Sequence, residues 1–126
     1  MTGSELDQAT LDLFDRSVEV DIRTPRRDGS ESSRPIWVVV VDGNAYVRSY
    51  LGARGAWYRR ALADGRATIA KQDTIVPVGL EPDHDEDVNR RVSEAFQSKY
   101  GERSAASTAT MIDPERSETT LRLTRP

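Results

Sequence analysis

Four arginines, a serine and a glycine-led turn stand within thirteen residues of one another: Arg48, Ser49, Arg54, Gly55-Ala56 and Arg59-Arg60. A helix beginning at Gly55-Ala56 presents free backbone N–H groups, and guanidinium forks beside it add charge-assisted hydrogen bonds. Arg48, Ser49, Arg54 and Arg60 are therefore candidates for holding a phosphate or another anion. The alternative is that these arginines are solvated or paired with some of the 21 acidic residues. Trp37, Tyr46, Trp57 and Tyr58 fall in and around the same stretch and could wall a pocket for a flat ring system. Core packing competes for at least two of the four. Trp37 sits in an apolar strand, and the pairs Trp57/Ala61 and Tyr58/Leu62 have the spacing that packs a helix onto a sheet. A third set, Arg26, Arg27, Ser30 and Arg34, lies on a polar loop that could close over an anionic group or simply face water.

Other chemistries find less support. There is no cysteine, which removes disulfides, thiolate catalysis and zinc–thiolate sites and fits a cytoplasmic protein. The only histidine, His84, stands among Asp83, Asp85, Glu86 and Asp87; the run reads as a helix N-terminus whose acids complement the dipole, and no metal is expected there. A net charge of −3 argues against nucleic acid as a partner. No apolar run approaches the roughly 18 residues of a membrane span, and no basic, apolar signal pattern opens the sequence. Lys71 and Lys99 are the only lysines among 18 basic residues, so arginine carries the positive charge. No carboxylate pair can be nominated as acid and base, and Tyr46 is the one candidate proton donor.

The elements that must position these groups follow from periodicity. Residues 4–14 show a helical stripe, with Ser4 and Asp7 resembling a capping box, within an N-terminal helix over 1–15. Val18, Val20 and Ile22 alternate with charges as in a half-buried strand, and Thr24–Arg34 reads as loop. Ile36–Val41 is apolar throughout, a strand covered on both faces. Asp42-Gly43-Asn44 turns the chain into a return strand over Ala45–Leu51, with Tyr46, Arg48 and Tyr50 on one face. A helix near 55–64 ends at Gly65. Arg66–Ala70 and Thr74–Leu80 form a second hairpin, in which Pro77 signals an edge or bulge. Val88, Val92, Ala95, Phe96 and Tyr100 stripe a helix that begins in the acidic run and ends at Gly101. Residues 102–117 are expected to be a flexible connection or lid, and Thr119–Thr124 a sixth strand. At 126 residues the expectation is one domain: mostly β with helices (α+β), a small antiparallel barrel.

With these segments in place, the chain resembles the split-barrel flavin and deazaflavin oxidoreductases, the superfamily that includes pyridoxamine-phosphate oxidases, and within it a small branch known as a domain of unknown function. The resemblance rests on Arg26-Arg27-Asp28-Gly29-Ser30, Pro35-Ile36-Trp37, Tyr46-Val47-Arg48-Ser49 and Gly55-Ala56-Trp57-Tyr58, and it covers residues 17–80. It implies a six-stranded antiparallel split β-barrel of the FMN-binding type, dimerising with ligand sites at the subunit interface. It also implies FMN or a deazaflavin as cofactor, and oxidoreductase activity on a small organic substrate. By the same resemblance Arg27, Ser30, Arg34, Trp37, Arg48, Ser49, Arg54, Trp57, Tyr58 and Arg60 would bind the cofactor. The loop departs from the Gly-Arg-Lys-Ser-Gly order of deazaflavin reductases, and Asp28 puts a negative charge where the phosphate is expected. A cofactor-free barrel that binds an anionic small molecule without redox chemistry therefore stands beside the first expectation, as does a purely structural dimer.

Overall fold

A computed structural model describes residues 6–126. Seven strands form one antiparallel sheet: β1 (Val20–Pro25), β2 (Glu31–Ile36), β3 (Val39–Val41), β4 (Asn44–Val47), β5 (Arg66–Lys71), β6 (Thr74–Pro82) and β7 (Leu121–Thr124). Their order across the sheet is β2-β1-β5-β6-β7-β4-β3. The two edges, β2 and β3, are separated in the chain only by Trp37 and Val38. Two residues reach about 7 Å when extended, so the sheet must curl until its edges nearly meet. That curl is the split half-barrel, and Trp37-Val38 is its seam.

The strand count is seven rather than six, because the expected loop 24–34 is a hairpin. Pro25 pairs with Glu31 and Val20 with Ile36. Only Ser32 and Ile36 of β2 are buried, so this ribbon has no alternating apolar signal to announce it. Gly29 supplies the positive φ at its turn, 87°. The expected strand Ile36–Val41 divides at the seam, and the return strand stops at Val47. Asp42 and Gly43, both at positive φ, join Val41 to its partner Asn44 in the two-residue turn their types favour. Pro77 pairs with β5 while the pairing of β6 to β7 begins only at Gly79, so its missing N–H faces no strand.

Five helices cover the sheet: α1 (Gln8–Arg16), α2 (Ala56–Asp64), α3 (Glu86–Tyr100), α4 (Ala105–Met111) and α5 (Pro114–Ser117). Residues 102–117, expected as a flexible connection or lid, thus contain α4 and α5. Asp7 caps α1 by accepting from the Thr10 N–H at 2.9 Å; Ser4 of the expected capping box lies outside the described residues. Asp85 caps α3 through the Val88 N–H, which accounts for the acidic run around His84. The alternation across β3 and β4 separates two apolar clusters. Val40, Ala45 and Val47 join Phe14, Ile22, Trp57, Ile69 and Leu121 on one face. Val39, Val41 and Tyr46 join Val92, Phe96, Tyr100 and Met111 on the other, with Trp37 packed against them. Among the described residues no helix is long and apolar enough to cross a membrane.

Candidate functional site: two cavities either side of one helix turn

Gly55 sets the position of α2. A Cβ placed on it would lie 2.4 Å from the buried Ser49 hydroxyl oxygen, so only glycine lets the helix start this close to the end of β4. Gly65, at φ 71°, ends the helix with its N–H bonded to the Ala61 carbonyl. Two cavities flank the first turn. The outer one, about 570 Å3, is walled by Arg26 and Arg27 of the β1–β2 turn and by Ala56, Arg59, Arg60 and Asp64 of α2. The inner one, about 340 Å3, is walled by Trp37, Arg48, Tyr50, Trp57 and Met111, with Glu19 among its lining residues. Consecutive residues, Ala56 and Trp57, therefore face different cavities.

In the outer cavity Arg26 is tied to the turn, donating to the Ser30 hydroxyl at 3.2 Å and the Glu31 carbonyl at 3.3 Å. Arg60 donates through Nε to the Thr24 hydroxyl at 2.9 Å. Arg27 and Arg59 form no side-chain hydrogen bond or ion pair among the described residues, so their guanidinium groups are available to an anion. Asp28 is committed elsewhere. It accepts from the Ser30 N–H at 2.9 Å and the Ser30 hydroxyl at 2.6 Å, and these donors hold its carboxyl below the usual carboxylate range. Ser30 spends both donors on Asp28 and lines neither cavity. Arg34 on β2 and Arg54 in the 3₁₀ turn Gly52–Arg54 are exposed and also line neither.

The inner cavity is aromatic on two sides. Trp37 stacks on Tyr100 at 4.0 Å between ring centroids with an interplanar angle of 2°. Trp57 meets Tyr58 edge-on at 6.1 Å. Tyr58 itself is buried and faces neither cavity, and burial pushes its phenol up. Tyr46 is likewise buried and lines neither; burial, followed by the field of Asp83, raises its pKa. Ser49 gives its N–H to the Thr119 hydroxyl at 2.9 Å, and its own buried hydroxyl has no hydrogen-bond partner among the described residues.

Arg48 is 1% exposed. Its Nε donates to the Thr120 hydroxyl at 2.8 Å, and its Nη1 to the Ser93 hydroxyl at 2.9 Å and the Met111 carbonyl at 3.1 Å. Nη2 donates to the Asn89 carbonyl at 3.0 Å. One side chain thus ties the chain just past β4 to α3, α4 and the segment before β7. Burial lowers its pKa to about 10, opposed by the field of Asp113.

Of the residues singled out from sequence, the structure brings Arg26, Arg27 and Arg60 to the outer cavity and Trp37, Arg48 and Trp57 to the inner one. It leaves Ser30, Arg34, Ser49, Arg54, Tyr58 and Tyr46 outside both. Sequence reasoning missed Arg59, although Ala56, Arg59 and Ala63 share one helix face and Arg59 was legible by spacing. It also passed over Glu19, Tyr50 and Met111 as cavity residues. Tertiary folding alone brings Met111 beside Trp37.

The curled antiparallel sheet with helices on its faces defines a protein of the split-barrel fold. The solved structures it is similar to bear this out. One is an F420-H2 dependent reductase, with TM-score 0.60 and 15% identity, covering 88% of this chain and 96% of that one. Another is described as a domain-swapped dimer, with TM-score 0.62 and 16% identity, covering 88% and 81%. A third is an FAD-binding protein from Mesorhizobium loti, with TM-score 0.57 and 12% identity, covering 94% and 88%. At such identities the likeness is one of fold. Within this class the chain belongs to the family described as "Uncharacterized protein conserved in bacteria (DUF2255)", whose model matches residues 10–123. No curated protein matches it.

Proposed function

We propose that the protein binds FMN or a deazaflavin across the first turn of α2 and uses it to reduce a small organic substrate, as a homodimer. The observation that carries this reading is the adjacency of an aromatic cavity and a four-arginine cavity on the two sides of that turn. The residues fit such a group. Arg27 and Arg59, without a side-chain partner among the described residues, with Arg26 and Arg60 beside them, would take the phosphate, and the N–H groups at the start of α2 add to them. Trp37 and Trp57 would wall the ring system and keep water from it. When bound and reduced, such a cofactor supplies a hydride equivalent. The chain's own work is then to bind, orient and exclude water rather than to supply a dedicated base. The named neighbours, an F420-H2 dependent reductase and an FAD-binding protein, support the cofactor class, and the domain-swapped dimer supports association of two copies.

The test is titration of the purified protein with FMN and with a deazaflavin, followed by cofactor fluorescence. Saturable binding of one of them is expected, weakened about tenfold by Arg59→Ala or Arg27→Ala, each removing one charge-assisted contact. No binding of either cofactor overturns the reading. Light scattering checks the dimer.

The Asp28–Ser30 turn favours a second reading. With the Ser30 donors consumed and a carboxylate in the loop, the same barrel would bind an anionic small molecule without redox chemistry. Native mass spectrometry of the protein as purified separates the two: a bound organic anion in place of a flavin supports the second.

A further inference from the structure

Arg48 is the largest fully buried side chain among the described residues, and none of those residues neutralises its charge. Every hydrogen-bond acceptor around it is neutral: two hydroxyls, two backbone carbonyls and, at 3.5 Å, the Asn89 side-chain oxygen. No carboxylate pairs with it among the described residues. Asp113, whose field reaches it, is committed to Arg116 at 3.2 Å. The Phe96 ring, 5.4 Å from the guanidinium carbon, offers a π face and no net charge. Buried arginines are ordinarily paired, because dipoles solvate a cation without cancelling its field. Arg48 also lines the inner cavity, whose other walls include Trp37, Trp57 and Met111. A charge beside apolar walls is poorly screened, so its field extends into the cavity. Among the described residues the only carboxylate on the lining is Glu19, which is exposed.

We propose that the inner cavity is a site for a planar conjugated anion, a carboxylate or comparable singly charged group on a ring, which supplies the counter-charge that Arg48 lacks. Selection is by charge more than by a bidentate fork, since the Arg48 donors are largely taken by the protein. Trp37 and Trp57 provide the ring contacts. Glu19 opposes the anion from the lining and so weakens its binding. In terms of the proposed function, this names the chemical class of what occupies the ring cavity. It rests on that cavity and not on the cofactor.

The experiment uses an isosteric pair, 2-naphthoate and the uncharged 2-naphthamide, titrated calorimetrically into the full chain and into Glu19→Gln. Glu19 is exposed and ties no element together, so the variant keeps the fold. The naphthoate is expected to bind at least about tenfold more tightly than the amide. Glu19→Gln is expected to strengthen naphthoate about two- to fivefold and leave the amide unchanged. Binding of neither probe, a preference under about threefold, or a preference indifferent to Glu19→Gln overturns the proposal. Retained naphthoate preference with no flavin or deazaflavin binding removes the cofactor reading alone. Cofactor binding without naphthoate preference removes this one alone.

Discussion

Replacing Tyr100 by phenylalanine deletes one oxygen at the seam of the half-barrel. That oxygen accepts from the Val38 N–H at 3.2 Å and donates to the Val18 carbonyl at 2.7 Å, with the Val38 carbonyl at 3.2 Å. The Val38 carbonyl keeps the Lys99 ammonium, which donates to it at 2.7 Å, and Val18 is an exposed residue. The Val38 N–H, on a residue with no exposure, is left without that acceptor. An unsatisfied buried donor costs about 1–3 kcal/mol, while the ring stack on Trp37 is unchanged. Tyr100→Phe should therefore cost about 2 kcal/mol, lowering Tm by roughly 6–10 °C for a chain of this length. Tyr46→Phe is the control: its hydroxyl makes no hydrogen bond among the described residues, and the change should cost less than about 0.5 kcal/mol. Urea unfolding followed by tryptophan emission and far-ultraviolet dichroism measures both, with the midpoint falling and the slope constant. If Tyr100→Phe costs no more than Tyr46→Phe, the seam is not held by that phenol and the account of how the sheet closes is wrong.

The same phenol gives an alkaline prediction. Burial pushes the Tyr100 pKa up to about 12 from 10.0, so between those values the folded chain holds a proton that the unfolded chain has released. Its contribution is full below pH 10 and lost as pH rises toward 12, and Tyr100→Phe should remove that part of the alkaline loss. Lys99, pushed down to about 8 by burial, acts in the opposite sense between 8 and 10.5. Gly55→Ala should destabilise by about 1–3 kcal/mol, since the new Cβ meets the buried Ser49 hydroxyl. Ser49→Ala in the same chain should restore part of the loss, and additive losses in a urea double-mutant cycle would refute the contact. Gly65→Ala should cost about 1 kcal/mol through its left-handed φ alone, because nothing lies within 4 Å of the new methyl.

Local signals carried much of the fold. Asp42-Gly43 between the valine run and Ala45-Tyr46-Val47 specified a two-residue turn, and Gly55 and Gly65 bracketed α2. The stripe from Val88 to Tyr100 marked the buried face of α3. The β2 ribbon escaped because it is held by backbone pairing to β1 and buries only two side chains, which leaves no period to read. The end of β4 at Val47 was hidden for another reason: a run of β-prone residues does not say where its partner strand stops. Among site residues, those on one turn or one helix face were accessible from sequence, as Arg27, Trp57 and Arg60 were. The Ser30 donors looked free because their capture by Asp28 depends on the turn's conformation.

The sequence by itself determined the class of fold, the position of α2 and the concentration of arginine and aromatic residues around it, because each of these follows from residues near one another in the chain. Only the tertiary structure decided that the arginines belong to two environments. Arg59 and Arg27 face an open cavity, while Arg48 is enclosed by groups from α3, α4 and the approach to β7. The curl imposed by the two-residue link between β2 and β3 makes this division, for it folds one short segment against elements as distant in sequence as Asn89, Met111 and Thr120. Burial and partner choice are properties of that enclosure, and no spacing along the chain encodes them.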